Sequence, residues 1–259
     1  MIDRDLGNNI STWLGEYLAN SALECYVVGV SGGIDSAVSS TLCAMTGRKT
    51  YVVNIPINSK QENTDLSHLH CQWLCEKYEN VEAVYMDATE SYLAFEKMFK
   101  DGPQYSLLAN ANSKSRLRMM VLYYLATSHS GLVVGTGNKV EDFGVGFFTK
   151  YGDGGVDISP IADLLKSEVR QLASYLGISE EILNAPPTDG LWEDSRTDEA
   201  QIGASYEELE WAMDHLETEP HGILTPRQKE VLAIYTSFHN KNKHKMVGIP
   251  TYKVGGIKI

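Results

Sequence analysis

The amino-acid sequence predicts an α/β fold, a Rossmann-like and mostly parallel sheet with helices on both faces. Short apolar runs rich in β-branched residues alternate with segments of helical periodicity along the chain. This alternation is typical of parallel strands that are joined by crossover helices. A glycine-rich segment directly follows the first apolar run, and such sheets bind ligands beyond the carboxyl ends of their strands. With 259 residues, 43% of them hydrophobic, the chain is long enough to bury a sizeable core.

All the predicted strands lie between residues 25 and 135. An amphipathic helix is predicted from about residue 3 to 19, because apolar side chains recur there at helical spacing. The predicted strands are the runs Cys25–Val30, Thr50–Ile55, Val81–Met86 and Leu132–Gly135. The predicted helices between them are Ser36–Met45, Thr64–Tyr78 and Ser113–His129.

The C-terminal half is predicted to be helical. Helical patterns cover Asp163–Leu176, Tyr206–Leu216 and Pro226–Asn240, and a short tail that contains His244 and Lys245 follows. Between them, the polar stretch Pro186–Gly203 has weak periodicity, which is typical of a lid or a partly disordered loop. We expect a single domain over residues 1–259, with a helical C-terminal part at about 198–245.

Charge and cysteine content exclude several classes of protein. The formal net charge of −12 disfavours a nucleic-acid coat or a membrane-surface binder, since both need a basic face. No apolar run is long enough to span a bilayer, and the first residues are no signal peptide, so a cytoplasmic location is expected. The cysteines are Cys25, Cys43, Cys71 and Cys75, which are expected to be buried thiols. Without a Cys-x-x-Cys pair, a zinc site and sulfur transfer to RNA are both disfavoured.

The strongest local signal is the segment GVSGGIDS, residues 29–36, between a predicted strand and a predicted helix. Gly32 and Gly33 allow a tight turn close to a ligand, and the N–H groups at the helix start favour an anion. Asp35 would repel a bare phosphate, so its presence favours magnesium between carboxylate and phosphate. A capped glycine-rich turn is the structural alternative. The segment resembles the pyrophosphatase loop of the PP-loop ATP pyrophosphatases, whose fold is adenine nucleotide alpha hydrolase-like.

A second segment narrows the resemblance to one family. Residues 135–160, GTGNKVEDFGVGFFTKYGDGGVDISP, resemble the signature of ammonia-dependent NAD synthetases. Further segments that resemble this family are KSRLRM, which begins at Lys114, Pro-Pro-Thr, which begins at Pro186, Thr-Asp-Glu, which begins at Thr197, and the pair His244-Lys245. The similarity covers about residues 29–245, and the 28 residues before it are too few for a glutamine-hydrolysing domain.

The resemblance implies a two-step amidation. The nicotinate carboxylate of deamido-NAD attacks the α-phosphorus of ATP, and ammonia then attacks the acyl adenylate to give NAD and AMP. Positioning and charge neutralisation dominate such nucleotidyl transfers. The alternatives are another adenylating or amidating synthetase of the PP-loop superfamily, and a regulatory module that binds ATP without turnover.

The resemblance also implies a role for individual residues. It assigns the ATP phosphates to Gly29, Val30, Ser31, Gly32, Gly33, Ile34, Asp35 and Ser36, and further ATP contacts to Thr136, Lys166 and Thr188. It assigns deamido-NAD to Arg116, Lys150, Asp157, His244 and Lys245, magnesium to Asp35 and Glu141, and catalysis to Lys166 and to Asp153 as proton acceptor for ammonium. Without the resemblance, Lys166 is predicted to be a solvated surface lysine, and His244 and Lys245 are predicted to belong to a flexible basic tail. Arg118 is expected to face away from Arg116, because it lies two positions further along the same helix.

Two departures from the family pattern stand out. The spacing between Glu141 and Lys150 is one residue longer than in some relatives, which leaves the register of residues 142–146 open. Asp189 stands where a small residue is expected, within a stretch that resembles the family's mobile loop. The family is homodimeric, and the apolar helix segment Met119–Ala126 is compatible with burial on two sides.

Overall fold

Four parallel strands form the sheet of the computed structural model, which describes residues 5–59, 61–188, 190–192, 196–218, 222–252 and 254. The strands are β1 Cys25–Gly29, β2 Lys49–Asn54, β3 Val81–Tyr85 and β4 Gly131–Val134. Their order is β3-β2-β1-β4, with Cys25 beside Lys49 on one side and beside Gly131 on the other. All pairings are parallel, so the predicted sheet is confirmed.

Helices cover both faces of this sheet. Their bounds are α1 Leu6–Asn20, α2 Ile34–Met45, α3 Gln61–Lys77, α4 Thr89–Glu96, α5 Leu107–Ser128, α6 Lys166–Leu176, α7 Glu180–Leu183, α8 Asp198–Ile202, α9 Tyr206–Thr218 and α10 Pro226–Met246. Because side chains alternate along a strand, Tyr26 and Val28 pack against α1, α2 and α6, whereas Val27 faces α4 and α5. A third layer consists of α8, α9 and α10, which pack around the π-helical turn Val140–Val145.

Two helices differ from their predicted bounds by six residues, the largest differences, and each has a local cause. The helix predicted from Ser113 begins at Leu107, because the Ser106 side chain caps it by accepting a hydrogen bond from the N–H of Ala109. The predicted tail after Asn240 is wrong: α10 continues to Met246, and its last turns pack on the π-helical turn. There the amide of Asn242 donates to the carbonyl of Val145.

Two further features are the burial of the cysteines and the character of the helices. Cys25, Cys43 and Cys71 are buried as expected, but Cys75 is exposed because it lies on the outer side of α3. In the described part of the chain, no helix combines the length and the apolar character that crossing a membrane requires.

A buried histidine on α3 is expected to make stability depend on acid pH. His70 lies against Ser40, 3.1 Å from its hydroxyl oxygen, and burial lowers the pKa of His70 to about 4. An unfolded histidine titrates near pH 6.5, so the unfolded chain binds the extra proton between pH 6.5 and 4. Neutral His70 therefore contributes about 3 kcal/mol to the free energy of unfolding. This contribution is complete above pH 6.5 and is lost as the pH falls toward 4.

The measurement is urea unfolding of His70→Gln and of the unmodified chain at pH 7 and pH 5. We expect the variant to lose less stability on acidification than the unmodified chain. His68→Gln is the control, because His68 lies on the same helix but is exposed. An equal acid loss in the His70 variant would contradict the prediction.

Candidate active site

A cavity of about 690 Å³ opens beyond the carboxyl ends of β1, β2 and β4. All but one of the predicted site residues line it. Those lining it are Gly29, Val30, Ser31, Gly32, Gly33, Ile34, Asp35, Ser36, Arg116, Thr136, Glu141, Lys150, Asp153, Lys166, Thr188, His244 and Lys245. The parallel strands therefore bring together residues that lie far apart in the sequence.

The loop between β1 and α2 presents backbone N–H groups to the cavity. Gly32 has a φ of +91°, a conformation that a residue with a side chain rarely adopts. The Ser31 N–H donates to the Ser36 hydroxyl oxygen (3.1 Å), and this hydroxyl donates to the Gly33 carbonyl (2.9 Å). No side chain caps α2, so the N–H groups of its first turn face the position that an anionic ligand would take.

Next to this loop, one lysine holds two carboxylates. The Lys166 ammonium lies 2.5 Å from Oδ2 of Asp35 and 3.0 Å from Oε1 of Glu141. Only 3% of the Lys166 side chain is exposed, so the reading of a solvated surface lysine is wrong. Lys166 begins α6, Asp35 lies in the first turn of α2, and Glu141 lies in the π-helical turn. The two carboxylates raise the pKa of Lys166 despite its burial.

Two neighbours orient these carboxylates. The Asn138 amide donates to Oδ1 of Asp35 (3.3 Å), and its carbonyl oxygen accepts from the N–H of Glu141 (3.1 Å). The Tyr206 hydroxyl donates to Oε1 of Glu141 at 2.5 Å. Burial raises the pKa of Asp35, whereas the Lys166 charge outweighs burial and lowers the pKa of Glu141. Two carboxylates around one cation are a donor set that suits Mg²⁺, which prefers oxygen ligands.

The segment 142–146, whose register the sequence leaves open, lies in the π-helical turn and its C-terminal cap. The N–H of Gly146 donates to the carbonyl of Glu141, five residues earlier, which makes this turn wider than an α-helical one. Asp142 then lies against Gly137, where an added Cβ would come within 2.1 Å of its carboxylate. Burial and the nearby charge of Glu141 raise the pKa of Asp142 to about 8.

Asp153 is held in a tight turn that lines the cavity. Its Oδ1 accepts hydrogen bonds from the Ser115 hydroxyl (2.6 Å) and the Thr149 N–H (2.9 Å). The glycine on either side is required by close packing, because a Cβ at Gly152 or Gly154 would come within 2.4 Å of a neighbouring side chain. The surrounding protein raises the pKa of Asp153 by desolvation.

Basic side chains gather at the other end of the cavity. The Lys150 ammonium donates to the carbonyl of His244 (2.8 Å), and Lys245 donates to the carbonyl of Phe148 (2.7 Å). The Arg116 Nε donates to the carbonyl of Lys150 (3.4 Å). These contacts anchor the end of α10, so the reading of His244 and Lys245 as a flexible tail is wrong.

Arg118 lines the cavity although it is not a predicted site residue, and Asp157 is a predicted site residue that does not. Arg118 donates to the carbonyl of Ile55 (3.0 Å), whereas Arg116 donates to the carbonyl of Lys150. Asp157 is the predicted site residue that does not line the cavity. Its carboxylate accepts hydrogen bonds from the Tyr123 hydroxyl (2.9 Å) and the Val133 N–H (2.8 Å), which join α5 to β4.

Part of the predicted lid covers the cavity. Residues 186–188 and 190–192 line it, and the Lys114 ammonium donates to the carbonyl of Leu191 (3.2 Å). The stretch ends in α8, where the Thr197 hydroxyl caps the helix by accepting from the N–H of Ala200. Asp189, which departs from the family pattern, lies outside the described residues, as do residues 193–195.

A family model described as NAD synthase matches residues 6–247. The chain belongs to the NAD synthase family. A curated member, the NH(3)-dependent NAD(+) synthetase of Mesoplasma florum, is 41% identical over 187 residues, or 71% of this chain and 73% of that protein.

Two solved structures of similar proteins cover almost the whole chain. The NMN synthetase of Francisella tularensis superposes with a TM-score of 0.85 at 30% identity, covering 97% of this chain and 99% of that one. The NH3-dependent NAD synthetase of Campylobacter jejuni superposes with a TM-score of 0.79 at 26% identity, covering 97% and 100%. The resemblance to NAD synthetases seen in the sequence is therefore confirmed, and so is the PP-loop fold.

Sequence reasoning missed three residues that shape this NAD synthase site. Ser115 and Asn138 lie inside the motifs KSRLRM and GTGNK, so a closer reading of those motifs would have found them. Tyr206 lies at the start of α9, in no motif, and only the fold brings it to Glu141.

Proposed function

We propose that this chain is an ammonia-dependent NAD synthetase, a ligase that amidates deamido-NAD at the expense of ATP. One observation carries the proposal: a single cavity combines an anion-binding loop, the Asp35–Lys166–Glu141 cluster and a basic end. An ATP-binding regulatory module has no need of two carboxylates on a buried lysine. The chain acts as one synthetase domain, and its C-terminal helices supply His244 and Lys245 to the site.

In the first step a carboxylate oxygen of the nicotinate bonds to the α-phosphorus of ATP, and the bond to pyrophosphate breaks. The N–H groups of the first turn of α2 and the Lys166 ammonium hold the phosphates in line for this attack. Asp35 and Glu141 are the residues that would hold Mg²⁺, whose charge offsets that of the leaving pyrophosphate. The basic residues Arg116, Lys150 and Lys245 hold the phosphates of deamido-NAD.

In the second step ammonia attacks the carbonyl carbon of the acyl adenylate, and AMP leaves with the bonding electron pair. Ammonium predominates at neutral pH, so a proton must be removed before the nitrogen can attack. Asp153 accepts this proton, since its carboxylate is open to the cavity and held by Ser115 and Thr149.

The test is an end-point assay with ATP, Mg²⁺, ammonium and deamido-NAD, in which NAD and AMP are measured separately. Equal amounts of NAD and AMP, formed only with ammonium present, are expected. AMP without NAD would overturn the amidation and indicate an adenylating enzyme with another acceptor. If a folded sample binds ATP but forms neither product, the regulatory module is favoured.

A second candidate acceptor is the mononucleotide, nicotinate mononucleotide. It is favoured by the similarity to the Francisella tularensis NMN synthetase and by Asp157, whose carboxylate is engaged between α5 and β4 instead of facing the cavity. Initial rates of AMP formation, measured with each acceptor in the presence of ammonium, distinguish the two by their kcat/KM values. A higher value for the mononucleotide would replace deamido-NAD as the preferred substrate.

We propose that Pro186–Gly203 is a lid that protects the acyl adenylate from water. We expect limited proteolysis to cut it readily in the empty protein and slowly with a non-cleavable ATP analogue and deamido-NAD bound. The contact of Lys114 with Leu191 supports closure over the site. Cutting at the same rate with and without saturating ligands would contradict the prediction.

We propose that the protein is a homodimer. Apolar side chains of α5 lie on its surface, with Met120 60% and Tyr124 71% exposed. Apolar surface of this kind, on neighbouring turns of one helix, is typical of an interface. Light scattering after gel filtration is expected to give twice the chain mass, and Tyr124→Glu is expected to halve it. Leu69→Glu, at an exposed leucine of α3, is the control. An unmodified chain that elutes as a monomer would contradict the proposal.

A cytoplasmic location is also proposed. The four cysteines form no disulfide in the structure, and three of them are buried as thiols. Unpaired thiols support a reducing compartment.

A further inference from the structure

The Lys166 ammonium lies where the cation of the proposed reaction belongs. It contacts Oδ2 of Asp35 at 2.5 Å and Oε1 of Glu141 at 3.0 Å, the two carboxylates assigned to Mg²⁺. This inference rests on the proposed function for that assignment. Among the described residues, no third acceptor contacts this ammonium, and its remaining near neighbour is the Tyr206 ring, with its centroid 4.7 Å away.

The gap between the two carboxylates admits one cation at a time. The two Nζ distances leave these oxygens at most about 5.5 Å apart. Octahedral Mg²⁺ holds its oxygen ligands at about 2.1 Å, so two of them lie about 3 to 4 Å apart. A small inward movement of the carboxylates is therefore enough for a metal ion, but only if the ammonium leaves.

The displaced lysine needs a new partner. Lys166 is almost fully buried, and leaving its charge there without an anion is costly. The cavity beside it is lined by the anion-binding loop of α2, so ATP phosphates would offer that partner. We propose that Lys166 occupies the cation position in the nucleotide-free enzyme and moves onto the phosphates of ATP when the divalent cation enters.

This exchange couples the cation to the nucleotide. Without nucleotide, the cation competes with Lys166 for both carboxylates and binds weakly. With nucleotide, the phosphates take Lys166, and each ligand strengthens the binding of the other. Lys166 is thus a positioning residue for the metal site as well as an ATP contact.

The first test measures Mn²⁺ binding without nucleotide, by the loss of the free-ion signal in electron paramagnetic resonance. Lys166→Met is expected to bind Mn²⁺ at least about tenfold more tightly than the unmodified chain, because its carboxylates have no competing cation. Lys166→Arg keeps the charge and is expected to bind as weakly as the unmodified chain. Equal affinity in the Met variant and the unmodified chain would overturn the proposal.

The second test uses the unmodified chain, so it decides the matter if the Met variant does not fold. Acetic anhydride labelling, read by mass spectrometry, is expected to modify Lys166 slowly in the apo protein and faster with saturating Mn²⁺. Lys49, an exposed lysine paired with Glu82, is the internal control and should not change. Slow labelling of Lys166 at saturating Mn²⁺ would refute the exchange. Both tests omit deamido-NAD, so a failure of the amidation assay is a separate result.

Discussion

Asp35→Asn is expected to lower kcat by at least about a hundredfold while the protein still folds and binds ATP. Asp35 is one of the two carboxylates on Lys166, and its other oxygen accepts from Asn138. The amide keeps the shape of the side chain but removes the negative charge that would hold Mg²⁺ and Lys166. The loss should be smaller at high Mg²⁺, because the remaining carboxylate of Glu141 still binds the cation weakly.

The measurements are kcat at several Mg²⁺ concentrations and ATP binding by calorimetry. Asp163→Asn is the matched control, since Asp163 pairs with Lys139 and its side chain is 96% exposed. We expect the control to retain its activity. If the Asp35 variant keeps activity within about fivefold of the unmodified chain, the Asp35 carboxylate has no role in the reaction.

Asp153→Asn is expected to slow amide formation by about a hundredfold and pyrophosphate release much less. The desolvated site raises the pKa of Asp153, and the carboxyl must be ionised to take a proton. Activity of the unmodified chain should therefore rise with pH through this raised pKa, and the Asn variant should lose that part of the rise. Single-turnover measurements of pyrophosphate and NAD separate the two half-reactions.

Hydroxylamine provides a sharper readout of the same role. It is neutral at pH 8 and needs no base to become a nucleophile, so the Asn variant should be much less impaired with hydroxylamine than with ammonium. Ser115→Ala removes a hydrogen bond to the carboxylate and keeps its charge. Should Ser115→Ala and Asp153→Asn lose equal activity with both nucleophiles, Asp153 would only hold the turn.

The sheet was predictable from the sequence because its strands are short, apolar and rich in valine. The loop after β1 was predictable for a different reason, since so few local structures require Gly32, Gly33 and Asp35 together. Helix α4 escaped prediction because only Tyr92 of its residues is buried, which leaves little periodicity to detect. The final turns of α10 escaped because contacts with the π-helical turn, remote in sequence, stabilise their polar residues.

The site was predictable only in part. Asp35 lies 131 residues before Lys166, and Glu141 lies 25 residues before it. Only the family resemblance linked the three before the structure placed them in contact. The partner of Glu141 on α9, Tyr206, has no sequence signal at all. Asp157 carried the family signal, yet its carboxylate joins α5 to β4 in this chain.

The π-helical turn bears on how sites are compared between relatives. One added residue in an α-helix would rotate everything after it by about 100°, and every later side chain would change face. Here the chain passes from Glu141 to Lys150 through the wide turn Val140–Val145, and both side chains line the cavity. Counting residues forward from Glu141 as along an α-helix would therefore misplace the side chains of the segment 142–146. Its equivalences in related chains are better established by superposing the two anchored ends.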